Sequence, residues 1–480
     1  MDSKGAYGTF QSGKAPAKDQ HNGCVPPLTT FEPAPGLPIS KSRRTITLIA
    51  LALSNTCSTV VYSCIAPFFP LEAHGKGASR LAIGILFGIY ELTTFVMSPI
   101  FGKLVPRLGS RVQYAMGMCI AGFASFLFGL LKWSPPGWQF VALSIAIRMV
   151  EATGNAAFVT ASFSIVMGIP FLFNCCPFFH GFLETFSGLG YAVGPTLGGF
   201  LYEIGGFALP FWTLGAVLIV AAFIAFCVIP QNNEDDTERT DSKGSILAIP
   251  MILIMNLSVV LTAASLAFFD PTLAAHLKQF NLSPKWIGVM FTIVGATYLI
   301  LTPITGYLTE KMNCGAVLMT VGSLSAFAGF FLVGPSPLLQ LSNSVTVVAV
   351  SLFCVGIALA SLMIPPVSYC LRAALRKGYP NNCQTFGQVS GLLNASLSLG
   401  GFLGPTVGTA IVHFYGFKWT ATGFSFLHLL FALLVFPCIV VYSCQKKERD
   451  AQRGKEEAKT SNLPLSQEGH VPPAQYFKLS

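Results

Sequence analysis

The sequence predicts an all-α polytopic membrane protein with twelve transmembrane helices arranged as two six-helix pseudo-repeats. Three observations carry that prediction. The 480 residues are 52% hydrophobic and only 10% charged, with a mean hydropathy of +0.63, whereas soluble domains carry about a quarter charged residues. Twelve apolar runs approach the length of about 20 residues that a helix needs to cross a hydrocarbon core of about 30 Å. Several short motifs also occur twice, 204 or 210 residues apart.

Taken in order, residues 1–44 are polar and rich in Gly, Pro and Lys, and read as a disordered tail. No apolar run follows an early basic region, so no cleavable signal peptide is expected and the first span serves as its own insertion signal. Six runs at 45–69, 81–104, 111–131, 138–167, 181–203 and 207–229 form an N-terminal bundle over 45–230. The acidic stretch NNEDDTERTDSKG at 232–244 marks a linker over 231–245. Runs at 246–270, 285–308, 314–334, 344–370, 386–413 and 419–443 form a C-terminal bundle over 246–443, followed by a second disordered tail over 444–480.

A formal charge of +9 would suit nucleic acid, but its distribution excludes that reading. With both termini on one side of the membrane, 22 Lys/Arg fall on that side and six on the other: Lys76, Arg80, Lys132, Lys278, Lys285 and Lys418. The positive-inside rule then places both termini in the cytosol. None of the thirteen cysteines falls in a loop on the far side, so disulfides are not expected. Cys444, just past the last span, is a possible palmitoylation site or an unmodified cysteine.

The repeats define the halves. GYAVGPTLGGF at 190–200 returns as GGFLGPTVGTA at 400–410, and the pairs IG/SPIFGKL (83–84, 98–104) return as IG/TPITGYL (287–288, 302–308). Parallel six-helix repeats are one way to build a transporter, with the site between them near mid-membrane. Gly190, Gly194 and Gly198 stand at i, i+4 and i+8, as do Gly400, Gly404 and Gly408. Such stripes let helix backbones approach closely in lipid, while Pro195 and Pro405 each remove a helix hydrogen bond. The expectation is a bent, sliding contact between rocking helices; static packing is the alternative.

Motifs tie these repeats to a family. GYAVGPTLGG resembles the antiporter motif of the major facilitator superfamily. GKLVPRLGSR (102–111) resembles its loop motif after the second helix, with Pro106 in place of the usual acidic residue. RMVEATG (148–154) resembles its fourth-helix arginine motif, with Glu151 for glutamine. APFFPLEAHGKGAS (66–79), LETFSGLG (183–190), GPTLGGFLY (194–202) and FFDPTL (268–273) are similar to the vesicular amine transporters, nearest to their polyamine branch. The resemblance runs from about residue 45 to 440. It implies the major facilitator fold and amine transport. Ser54 and Asn394 replace two aspartates of the monoamine branch, which argues against monoamine transport of that kind. Residues 171–180, FLFNCCPFFH, depart from the polar loop the family has there.

The acidic residues Glu91, Glu151, Glu184 and Asp270 fall within spans. A charge at mid-bilayer costs from about 2.5 kcal/mol upward, so each needs a reason. A carboxylate there can pair with a cationic amine and release it on taking a proton, which is the chemistry of an amine/proton antiporter. Glu151 lies at i+3 from Arg148, the sole basic residue within a span, so a site and a structural pair both remain open. Glu184, ten residues before Gly194, is either a substrate or gate residue or a charge stabilising a helix N-terminus. Asp270 precedes Pro271, which suits capping a new short helix as well as a cation gate. Tyr62 and Tyr369 can offer cation–π contacts.

No metal-ligand spacing, nucleotide loop or Ser/His/Asp arrangement stands out, so neither a cofactor nor an enzymatic activity is expected. The combined expectation is proton-coupled antiport of organic cations, polyamines such as spermine and spermidine above all, into acidic vesicles by alternating access. The alternatives are a broad drug/proton antiporter at the plasma membrane and a non-transporting amine receptor or scaffold. YFKL at 476–479 fits a tyrosine-based sorting signal. Sorting adaptors therefore join the small cation, protons and the bilayer as expected partners.

Overall fold

Caps and glycines divide the chain where its character changes. The computed structural model describes residues 41–167, 176–229, 246–312, 314–380 and 383–461. The expectations for the first forty residues, for 171–175, for the acidic linker stretch and for the sorting motif lie outside those residues, as do those for the side chains of Glu184 and Cys444.

The first half comprises α1 (Lys41–Ser63), the short α2 (Phe69–Gly75), α3 (Arg80–Leu108), α4 (Ser110–Leu130), α5 (Trp138–Met167), α6 (Cys176–Gly205) and α7 (Ala208–Val228). The second comprises α8 (Pro250–Ala267), α9 (Phe269–Leu277), α10 (Pro284–Lys311), α11 (Gly315–Val333), α12 (Val345–Met363), α13 (Pro365–Arg376) and α14 (Cys383–Ser461). Ser79 starts α3 by accepting the Ala82 N–H at 3.1 Å, and Ser344 starts α12 by accepting that of Val347 at 3.3 Å. Gly109 and Gly416 adopt φ of 79° and 80°, where a side chain would be strained. The first separates α3 from α4, and the second divides α14 into two spans.

Nine stretches among the described residues are long and apolar enough to cross a membrane. One of them, Thr385–Leu434, contains Gly416 and so holds two spans. The remaining two spans are α5 and α6, of 30 residues each. Arg148, Glu151 and Asn155 on α5, and the glycines of α6, lower their hydropathy. Helix extends into both expected tails, starting at Lys41 and ending at Ser461. The segment QKKERDAQRGKEEAK (445–459) consists largely of Lys, Glu, Arg, Gln and Ala, which favour helix without needing a core.

Each half has its own core, one gathered around Phe69, Phe128 and Phe211 and the other around Phe268, Phe330 and Leu352. The halves meet along two seams, α3 against α14 and α6 against α10. A Cβ at Gly84 would lie 2.6 Å from the Pro405 carbonyl oxygen, and one at Gly88 3.0 Å from that of Phe402. Across the other seam Gly288 backs onto the Pro195 carbonyl and Gly295 onto Ala192. The two repeated motifs are thus each other's partners: the IG of either half meets the Gly-Pro of the other. Beyond the seams α2 packs on α9, and the Lys285 N–H donates to Glu203 Oε1 at 3.1 Å. These contacts shut the end of the molecule opposite the chain termini.

The glycine stripes themselves face elsewhere. Gly190 packs on Thr56 and Thr59, Gly194 on Val60 and Ser63, and Gly198 on Cys64, all on or just after α1. Gly400 and Gly404 pack on Val260 and Ala264 of α8, and Gly408 on Phe268. The expected sliding contact is therefore corrected: the stripes bind helices within each half, and Pro195 and Pro405, offset around the helix, reach the seams. Period-four spacing puts glycines on one face without saying which neighbour that face meets.

Gly288→Val adds bulk against backbone that has no rotamer to yield, and overpacking of this kind costs about 1–3 kcal/mol. The expected result is a shift of about tenfold or more away from the state shut at this end. A cysteine placed at Phe269 and probed with a membrane-impermeant maleimide should react faster in the variant than in the otherwise unchanged chain.

Candidate functional site

Between the seams lies a cavity of about 910 Å³. Ala66, Phe269 and Asp270 line it toward the shut end. At the other end its lining reaches the exposed Glu310 and Lys311 at the close of α10, on the side where α1 begins.

Glu91 on α3 is half-buried and lines the cavity. Its polar neighbours are the hydroxyls of Tyr62 and Ser398, one from each half, and its side chain rests against Gly401 of α14. Asp270 lines the same cavity from the first turn of α9, where the helix dipole favours a carboxylate. The expected side-chain cap does not form: α9 starts at Phe269, the cap position is Phe268, and Asp270 stands two residues past it.

Aromatic rings wall the space. The Tyr62 ring lies 4.9 Å from that of Tyr90 and 6.2 Å from that of Tyr191, and Tyr298 contributes from α10. Behind them the Arg148 Nη1 donates to Glu151 Oε2 at 2.8 Å, an ion pair with both side chains buried. The guanidinium also stands 4.7 Å from the Tyr90 ring centre and 5.9 Å from that of Tyr62, a cation–π support for a charge whose Nε and Nη2 have no hydrogen-bond partner. Glu151 is thus a paired residue behind the wall and is not among the cavity-lining residues.

Tyr369 is placed differently from expectation. Its ring packs against Gly315 at the start of α11, outside the cavity lining. The register on α13 is set by Pro365 and Pro366, which open a new helix there. Residues that the sequence reading did not single out complete the site: Tyr90, Tyr191, Tyr298, Asn155, Ser398 and the mouth residue Glu310, which accepts from the Ser368 hydroxyl at 3.3 Å. Asn394, where the monoamine branch has an aspartate, also lines the cavity. Glu310 was readable in one respect: it stands 204 residues after Pro106, so the acidic position missing from the first loop motif is present in the second.

Two helical halves that shut one end around a central cavity bearing carboxylates define a membrane transporter rather than an enzyme. The chain belongs to the major facilitator superfamily, whose family model matches residues 51–378 and, again, 255–477. It is 33% identical to the rat MFS-type transporter SLC18B1 over 377 residues, covering 78% of this chain and 82% of that one. The human SLC18B1 is 31% identical over 464 residues, 96% and 99% of the two chains. The mouse synaptic vesicular amine transporter is 25% identical over 389 residues, 80% and 71%. A solved bacterial homologue of the human lysosomal transporter Spinster shares the fold, with a TM-score of 0.65 at 17% identity over 84% of this chain and 98% of that one. The human organic anion transporter MFSD10 does so with a TM-score of 0.61 at 19% identity, over 82% and 100%.

Removing one member of the buried Arg148–Glu151 pair leaves an uncompensated charge, at a cost of about 3–5 kcal/mol. Thermal melting in detergent should show Glu151→Gln strongly destabilised. Arg148→Met combined with Glu151→Leu should recover most of the loss. A single variant that melts like the unchanged protein would remove the pair from the structural account.

Proposed function

We propose that this transporter exchanges organic cations, polyamines foremost, for protons across a vesicle membrane by alternating access. The observation that carries the reading is the charge of the cavity: Glu91 and Asp270, one carboxylate from each half, stand among tyrosine rings. Among the described residues the lining contains one base, Lys311 at the mouth, and its ammonium lies 5.3 Å from the Tyr307 ring. A flexible chain bearing several ammonium groups satisfies carboxylates spread along such a space, and the rings add cation–π attraction. The similarity to SLC18B1 and to the synaptic vesicular amine transporters points the same way.

The energetics are sufficient. With the cavity open on the cytosolic side, ionised carboxylates collect the amine; on the acidic side, protons displace it. A lumen about 1.5 pH units more acidic supplies about 2 kcal/mol per proton returned. An inside-positive potential of about 100 mV supplies about 2.3 kcal/mol per net charge moved outward.

A second reading, exchange of bulkier drug-like cations, draws on the cavity volume, which lies toward the upper end of the range of small-molecule sites. Proteoliposomes with an acidic interior separate the two. The expected result is uptake of labelled spermidine that collapses with the pH gradient and is competed by spermine better than by bulky monovalent cations. Glu91→Gln and Asp270→Asn should each weaken apparent affinity by about tenfold or more, equivalent to at least about 1.4 kcal/mol. Competition in the reverse order favours the drug reading. Binding without uptake or counterflow leaves a receptor.

A further inference from the structure

The two seams differ at one matching place. On the first, α3 presents Gly84, Gly88 and Glu91, at i, i+4 and i+7, toward α14. The positions 204 residues later on α10 are Gly288, Thr292 and Gly295, which face α6. Facing Gly401 on α14 is the side chain of Glu91, whereas Gly295 faces the backbone of Tyr191 and Ala192 on α6. A side chain meets glycine at this place on the first seam, and backbone meets glycine on the second.

The second seam is tied by uncharged groups, with the Thr292 hydroxyl donating to the Ala192 carbonyl and in contact with that of Thr196, both at 2.6 Å. The first carries an ionisable group about one turn further along, at the position matching Gly295. A Cβ on Gly401 would lie 2.7 Å from Glu91 Cγ and 3.1 Å from its Cδ. At neighbouring Gly400 and Gly404, by contrast, an added Cβ would strike the carbonyls of Val260 and Ala264. Of these three glycines, Gly401 alone is reserved for a side chain. Pro405 has no N–H to give, so the Gly401 carbonyl, four residues earlier, also lacks its usual helical partner.

We propose that Gly401 is a positioning residue for Glu91: its bare Cα is the seat that sets how far the carboxylate stands into the cavity. Because seat and carboxylate belong to different halves, parting of α3 from α14 removes the seat. The environment of Glu91 then differs between the two access states, as exchange of an amine for a proton requires. The inference rests on Glu91 serving as a substrate or proton carboxylate.

The test uses the full chain in proteoliposomes, with labelled spermidine as the probe. Gly401→Ala should melt near the unchanged protein, since the strain falls on a side chain, yet raise KM for spermidine by about tenfold and shift the pH profile of uptake. Glu91→Asp withdraws the carboxyl group by one methylene, so adding Gly401→Ala to it should cost far less than in the unchanged chain, a non-additivity diagnostic of direct contact. Unchanged KM and pH profile in Gly401→Ala, or losses that multiply in the double variant, overturn the proposal. If Gly401→Ala does not assemble, the Glu91→Ala background decides: assembly of Gly401→Ala there supports the seat, and failure there refutes it. Should Glu91→Gln leave uptake and its pH profile unaltered, the carboxylate reading fails as a whole. Should Glu91→Gln impair both while Gly401→Ala impairs neither, only the seat fails.

Discussion

Backbone-to-backbone contact across the two seams is the constraint on which the remaining architecture depends. In lipid no hydrophobic effect drives helices together, so close packing must do it. Gly84 and Gly88 against Pro405 and Phe402, with Gly288 and Gly295 against Pro195 and Ala192, bring the backbone of α3 close to α14 and that of α6 close to α10. Closure at this end leaves the halves diverging toward the other, and the cavity is the volume between them. Were these positions larger, the halves would stand apart at both ends and the carboxylates would have no shared enclosure.

Polar groups are placed within that frame by cost. Arg148 and Glu151 are buried and neutralise each other behind the cavity wall, with tyrosine and phenylalanine faces covering the guanidinium. Glu91 and Asp270 are not so paired and open instead onto the cavity. The contrast separates two kinds of intramembrane carboxylate: one satisfied inside its own half, the other left for a mobile cation. Tyr62 stands between the two sets, hydrogen-bonded to Glu91 and facing the Arg148 guanidinium.

Much of this was legible in the residues. The spans, the two halves and the family followed from hydropathy and repeated motifs, because membrane insertion demands long apolar runs and duplication leaves its spacing intact. Glu91 and Asp270 were legible as charges where charge is expensive. Tyr191, Tyr298 and Ser398 were not, since one aromatic or hydroxyl residue among many on an apolar helix carries no mark of which neighbour it faces. The glycine stripes misled for a related reason: period four identifies a smooth face, whereas Gly190 meets Thr59 on α1 and Gly288 meets Pro195 on α6 only through the packing of whole helices.

By itself the sequence determined how many times the chain crosses the membrane, that it does so as two like halves, and which few charges the bilayer must accommodate. These are properties of local composition and of spacing along the chain. The tertiary structure decided which end is shut, that Glu151 is spoken for while Glu91 and Asp270 share a cavity, and that Gly401 lies under Glu91. The Glu91–Asp270 and Glu91–Gly401 relations join residues some 180 to 310 positions apart, and only the approach of one half to the other brings them together.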